Sequence, residues 1–342
     1  MTQKNSQYFR DLSNGKLSLE PIKPILDHMG KIMKLEKMPP ELVRSGAYGS
    51  KVTEQLTRLD LSIVEGNNTW EGLAVAFPGG RHDLTTRNMT TPYLRMILYP
   101  ILDVYHRIQK YEKRRMPCIY IVGDRFSDVL LRKFSLLNTL VPRVIILTND
   151  LYNSANRKVW YPATKMNSDH ESWWQMQLCK KLNSEQGLKM PVKDGKGFIE
   201  AGLLSYEVPA AEGTQGKERL DILCYDKKDH SLIAFEIKGP KCGKVELENL
   251  FLQGLEHQKW LERNKAAVKF IFDRGPRGQR ISMRKRVRLV LGSCSPETPS
   301  LFEEIREQAE RVDPYLKIDF VWSKKDGEGD IKVMPCERNN KD

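Results

Sequence analysis

The fold turns on residues 219–240, RLDILCYDKKDHSLIAFEIKGP. Two apolar runs flank a polar turn, DKKDHS. LDILCYD and LIAFEIK alternate with the period of β-strands, which send successive side chains to opposite faces. A hairpin turning between Lys228 and Asp229 pairs Ile222 with Phe235 and sets Asp221 opposite Glu236. Their Cβ atoms would then stand about 4.5–5.5 Å apart. Two like charges so placed destabilise a strand pair unless a cation compensates. Lys238 follows Glu236 on the same face. On a blander reading, Asp221 points to water from an edge strand and Glu236 and Lys238 form a solvated face. The neighbours argue against that. Ile233, Phe235 and Ile237 fill the opposite face, and Leu232 and Ala234 begin the acid-bearing one. A strand apolar on both faces reads as central and buried, so acids at its end sit at a sheet edge or in a cleft, not on open surface.

Working outward, residues 168–183 read as a helix, FIEAGLLSYEVP as a strand, and residues 244–263 as a second helix behind the hairpin. AVKFIFD reads as a short strand. The basic loop RGPRGQRISMRKR leads to the strand VRLVLGS, a helix near 299–311 and the strand KIDFVW. In the N-terminal half, residues 1–45 read as helical and basic, broken by prolines. Residues 47–65 read as a helix and then a strand, and WEGLAVAF as another strand. That makes either a helix-plus-hairpin unit of winged-helix type or a generic α/β packing element. Residues 92–113 read as a helix kinked near Pro100. CIYIVGD, a helix near 126–138 and RVIILTND read as a parallel βαβ unit. No phosphate-binding loop follows either strand. No repeat at a fixed period is visible. The expected boundaries are 1–165 for an N-terminal α/β region, 166–323 for the second domain and 324–342 for a tail.

The 342 residues are long enough for two domains, and 40% hydrophobic content supplies ordinary cores. LRMILYPILDVYH is the nearest approach to a membrane span, and Arg95, Pro100 and Asp103 interrupt it. The N-terminus lacks an apolar signal core. The cysteines at 118, 179, 224, 242, 294 and 336 contain no CxxC spacing. A reduced, cytoplasmic protein is the expectation. The net charge of +12 favours a polyanionic partner such as nucleic acid.

Asp221, followed after a spacer by Glu236-Ile237-Lys238, resembles the D–(D/E)xK core of the PD-(D/E)xK nuclease superfamily, the restriction-endonuclease-like fold. Residues 168–322 follow that family's order of helix, strand, motif hairpin, helix and strand. Leu220 stands where the family usually has proline. The resemblance implies an α/β fold with a mixed-sheet core in the C-terminal half. It implies hydrolysis of DNA phosphodiester bonds with Mg²⁺ or Mn²⁺, as an endonuclease ahead of an exonuclease, in defence, restriction or repair. Asp221, Glu236 and the Ile237 carbonyl would hold the metal, since hard cations take oxygen ligands. Lys238 would orient the attacking water and steady developing charge.

Four further features bear on the site. Glu171 is in phase with Trp174, Leu178 and Leu182, which turns it inward beside the metal; alternatively Ser168-Asp169-His170-Glu171 is a capping box. Glu207 is a weaker alternative for an added ligand. Gln253 opens a Gln-xxx-His run where some exonuclease-like relatives carry Gln-xxx-Tyr; it positions DNA or the metal water, or it is a surface glutamine. His257, a lone histidine, reads as a packing or surface residue. Arg274, Arg277, Arg280, Arg284, Lys285 and Arg286 form a basic cluster that binds phosphates or is a solvated loop. An RNA nuclease with the same site and a non-catalytic nucleic-acid-binding protein are the rivals. A small-ligand sensor in the N-terminal half, and a homo-oligomer or protein partner, stay open.

Overall fold

The computed structural model of the chain describes residues 14–39, 59–66, 69–79, 91–111, 116–126, 128–157, 168–191, 198–210, 219–273, 280–295, 298–312, 318–325 and 331–335. The helix expected at the start of 47–65, Arg274, Arg277 and the C-terminal CERNNKD lie outside these residues. The protein is mixed α/β and divides into two compact units, with the main division in sequence between Asn153 and Ser154. The sequence reading set that division at residue 165. It falls earlier because Ser154 and Arg157 bond to the second unit: the Ser205 hydroxyl donates to the Ser154 carbonyl, and Arg157 donates to the Tyr206 carbonyl at 3.2 Å.

In the first unit, α1 (Lys23–Ile32) precedes β1 (Lys34–Lys37), β2 (Asp60–Glu65) and β3 (Gly72–Ala76). Then come α2 (Thr91–Tyr111), β4 (Cys118–Gly123), α3 (Asp128–Leu136), β5 (Arg143–Thr148) and α4 (Asn149–Ala155). The five strands lie in chain order in one sheet. β1, β2 and β3 pair antiparallel, while β4 is parallel to β3 and β5 to β4. The expected βαβ unit is therefore present, and the first hairpin is part of its sheet. β1 corrects the helical reading of residues 1–45: KLEK pairs along β2 as a largely exposed edge, where charged side chains suit an edge strand. α2 continues through Pro100. Leu73, Val75, Ile119, Ile121, Tyr105 and Phe134 are among the residues that fill the core of this unit.

The second unit opens with α5 (Glu171–Leu182), β6 (Leu188–Pro191), β7 (Phe198–Pro209), β8 (Arg219–Asp226) and β9 (Leu232–Lys238). It closes with α6 (Lys244–Asp273), β10 (Arg288–Ser293), α7 (Thr298–Val312), β11 (Ile318–Lys325) and β12 (Ile331–Pro335). One sheet runs in the order β12-β11-β10-β9-β8-β7-β6. β7, β8 and β9 pair antiparallel, then β10 is parallel to β9 and β11 to β10. β9 is thus central, as its two apolar faces require. Ile233, Phe235 and Ile237 pack in one cluster with Trp173, Trp174 and Leu178 of α5. α6 covers the other face. Its Gly254 permits the close approach, since a Cβ there would stand 2.8 Å from the Leu291 side chain.

Two segments differ from the sequence reading. AVKFIFD is the last part of α6, not a strand. A run of buried apolar residues carries no period that separates the two, and here the helix already under way continues. The expected tail includes β12, which pairs antiparallel with β11 from Val321↔Pro335 to Lys325↔Ile331. Among the described residues, no helix is long and apolar enough to cross a membrane.

Candidate active site

The β8–β9 hairpin has the register its sequence implies. Tyr225 pairs with Leu232, Cys224 with Ile233, Leu223 with Ala234 and Ile222 with Phe235. The turn is held by its own side chains: Asp226 Oδ1 accepts from the Lys228 N–H at 2.8 Å, and Asp229 Oδ1 from the Ser231 N–H at 2.9 Å. One step past Ile222↔Phe235, the same register brings Asp221 opposite Glu236. There the ladder changes. Ile237 should by alternation donate its N–H to a β8 carbonyl. It donates to Asp221 Oδ2 instead, at 2.9 Å. The acid has taken the place of a backbone acceptor, and the Ile237 carbonyl faces the same side by the same alternation.

Helices on both faces fix these two acids. Gln175 of α5, itself buried, donates from Nε2 to the Asp221 carbonyl at 3.0 Å. His257 of α6 has its Nδ1 against Glu236 Oε1, and both residues are fully buried. Glu236 Oε2 is buried too and finds no hydrogen-bond partner among the described residues. Asp221 keeps some surface exposed, so the pair is not sealed in the core.

The electrostatics follow from this enclosure. Burial pushes the Asp221 carboxyl well above the usual carboxylate range, and the neighbouring Glu236 charge adds to it; the Ile237 N–H and Lys238 pull the other way. Burial likewise raises Glu236. Each carboxyl group shifts the titration of the other. Without a cation, both cannot be charged at neutral pH at low cost.

Lys238 and Glu171 complete the site. Lys238 Nζ lies 3.4 Å from Glu171 Oε1, and the Gly239 N–H donates to Glu171 Oε2 at 3.3 Å. Gly239 lets the chain pass close to α5, because a Cβ there would stand 3.2 Å from the Glu171 backbone N. The capping box expected for Glu171 is absent. His170 is the N-cap and makes no side-chain cap bond, and Glu171 is the first helical residue. Its carboxylate, freed from capping, faces the lysine.

The remaining expected residues divide. Gln253 is one helical turn before His257, half-buried, and bonds to neither acid among the described residues. Glu207 stands across β7 from Asp221, but its φ of 45° marks a local break in the strand and its carboxylate pairs with Arg157 at 3.5 Å. Arg280, Arg284, Lys285 and Arg286 are exposed. Their segment is pinned beside the hairpin turn: the Ser282 N–H donates to the His230 carbonyl at 2.8 Å, and Lys265 and Lys269 donate to the Lys285 and Ile281 carbonyls. That is the opposite end of β9 from Glu236, ~20 Å along an extended strand.

Sequence reasoning missed Gln175 and His257. A signal for His257 existed. It falls on a stripe with Leu250, Gly254 and Leu261, all buried. A histidine in such a stripe needs a polar partner from the sheet below.

Among the described residues, no group of three or more His, Cys, Asp or Glu is arranged to hold a metal ion. The donor set that fits a cation here is mixed: two carboxylates and one main-chain carbonyl. The buried, unpartnered Glu236 Oε2 is the observation in its favour. Comparison with known proteins finds no significant match, whether among family models, curated proteins or solved structures.

Proposed function

We propose that the second unit is a metal-dependent nuclease of the PD-(D/E)xK type that hydrolyses DNA. The observation that carries this reading is the placement of partly exposed Asp221 opposite fully buried Glu236, one step past Ile222↔Phe235 in the hairpin register, with Lys238 following. A fold keeps an acid facing a fully buried one at a cost of several kcal/mol unless something charged joins them. Asp221, Glu236 and the Ile237 carbonyl are hard oxygen donors, the type that Mg²⁺ and Mn²⁺ take. Such an ion lowers the pKa of bound water and neutralises charge on a phosphoryl oxygen.

The residues of the chain do the rest. Asp221 is held by Gln175 through its carbonyl and by Ile237 through its carboxylate, so its orientation is set before substrate arrives. His257 fixes one oxygen of Glu236, and the other, buried without a hydrogen-bond partner among the described residues, would join in holding the cation. Lys238 supplies a positive charge at the rim for a water or a phosphate oxygen. Glu171 holds that ammonium in place and releases it when a phosphate competes. The exposed basic segment 280–286 lies far enough along the sheet to meet backbone phosphates of the same duplex, not the scissile one.

A substrate panel tests this. The protein is incubated with duplex DNA, single-stranded DNA and RNA, each with Mg²⁺, Mn²⁺ or EDTA. Cation-dependent cleavage of DNA is the expected result. Cleavage of RNA alone would reassign the substrate and leave the site standing. No cleavage of any substrate with either cation would remove the hydrolytic reading and favour a nucleic-acid-binding role.

A further inference from the structure

The two units share more than a class. The first unit runs helix, three antiparallel strands, helix, strand, helix, strand; the second follows the same order with one strand added before the equivalent three, β6, and one added at the end, β12, and both pair five strands antiparallel, antiparallel, parallel, parallel. Topology of this kind alone is a common way to build a sheet. The registers carry the comparison further. Asp60 at the start of β2 pairs with Ala76 of β3, and Asp221 stands to Glu236 likewise, one step past the Ile222↔Phe235 pair. The local sequences agree: Arg58-Leu59-Asp60 opens one strand and Arg219-Leu220-Asp221 the other, and they end on Glu65 and Asp226. Ala76 pairs across the parallel ladder with Val122, followed by Gly123; Glu236 pairs with Leu291, followed by Gly292. Even the approach of the first helix is repeated. A Cβ on Gly79 would stand 3.3 Å from Pro21, next to α1, where one on Gly239 would meet Glu171 at the start of α5.

We infer that the first unit is a second copy of the fold that carries the acids, with its cation position erased at two residues, so that each chain holds one hydrolytic centre. This rests on the functional reading above. Asp60 is kept where Asp221 stands. Ala76 replaces Glu236 and Pro78 replaces Lys238. Ala76 is buried and offers no oxygen, and a proline has neither an ammonium nor an N–H. One carboxylate facing a methyl group does not hold a divalent ion against water.

Mn²⁺ binding to the full chain, followed by calorimetry, tests it. Glu236→Gln is expected to abolish saturable binding and Asp60→Asn to leave it at the wild-type level. The double variant Ala76→Glu/Pro78→Lys is expected to bind twice as much Mn²⁺ as wild type, with the gain lost again on adding Asp60→Asn. Binding that survives Glu236→Gln and disappears with Asp60→Asn would overturn the inference, because the first unit would then own a centre. A folded double variant, with wild-type thermal melting, that gains nothing would overturn it too. If the double variant does not fold, the two single variants decide. Wild type that binds no Mn²⁺ at all would sink the functional reading itself, which is a different outcome from either.

Discussion

At the residue scale, the site is an electrostatic conflict held in place by its neighbours. Asp221 and Glu236 are both raised by burial, and the charge of Glu236 raises Asp221 further. A carboxyl whose folded pKa lies above its unfolded value near 4 holds its proton more tightly when folded. Metal-free protein therefore loses stability as pH rises from the unfolded value toward the raised ones, and levels off above them. Asp221→Asn or Glu236→Gln removes part of that penalty. Each variant is expected to abolish cleavage and, at pH 8 with EDTA, to melt higher than wild type by about 1–2 kcal/mol of stability. Melting curves from pH 5 to pH 8 check this; a variant less stable than wild type at pH 8 would mean the acids are structural. His257 acts through Glu236. His257→Ala leaves Glu236 Oε1 without its buried partner, and about a tenfold to hundredfold loss in apparent Mn²⁺ affinity is expected, in line with such supporting residues elsewhere. An unchanged affinity in a folded variant would reduce His257 to packing.

At the element scale, the hairpin was legible and its supports were not. Alternation and a polar turn are local signals, so DKKDHS and its flanking strands determined the register of Asp221 and Glu236. Gln175 and His257 reach the acids from helices 46 and 21 residues away, and nothing in a single sequence announces such pairs. The inward phase of Glu171 was readable, but the capping alternative dissolved because the helix begins later than Ser168 implies. AVKFIFD was unreadable for a plainer reason: a short, mostly apolar run fits a strand or a helix equally well. Two element-level variants separate seat from ligand. Gly254→Val drives a side chain into Leu289 and Leu291, and a cost of about 1–3 kcal/mol is expected, with weaker cation binding as α6 lifts His257 away. Replacing Arg280, Arg284, Lys285 and Arg286 by glutamine is expected to weaken duplex binding and to flatten its salt dependence by about 0.9 in log–log slope per lost phosphate contact. Filter binding across a salt series reads this, and an unchanged slope would return the segment to a solvated loop.

At the scale of the whole molecule, the pairing of two similar sheets was open to the sequence but too faint. RLD recurs before two alternating strands, separated by most of a domain, and the residues that would have drawn attention in the first copy, the glutamate and the lysine, are the ones replaced. Only the strand registers make the equivalence visible. A chain with one centre cuts one strand at each visit. Supercoiled plasmid is therefore expected to pass through an open-circular form before any linear form accumulates. The most direct measurement follows wild type and Glu236→Gln on supercoiled plasmid with Mg²⁺, Mn²⁺ or EDTA. Nicking by wild type is expected with either cation, none with EDTA, and none by Glu236→Gln under any condition. Cation-dependent cutting that persists in Glu236→Gln would contradict it, because the buried acid pair would then not be the hydrolytic centre.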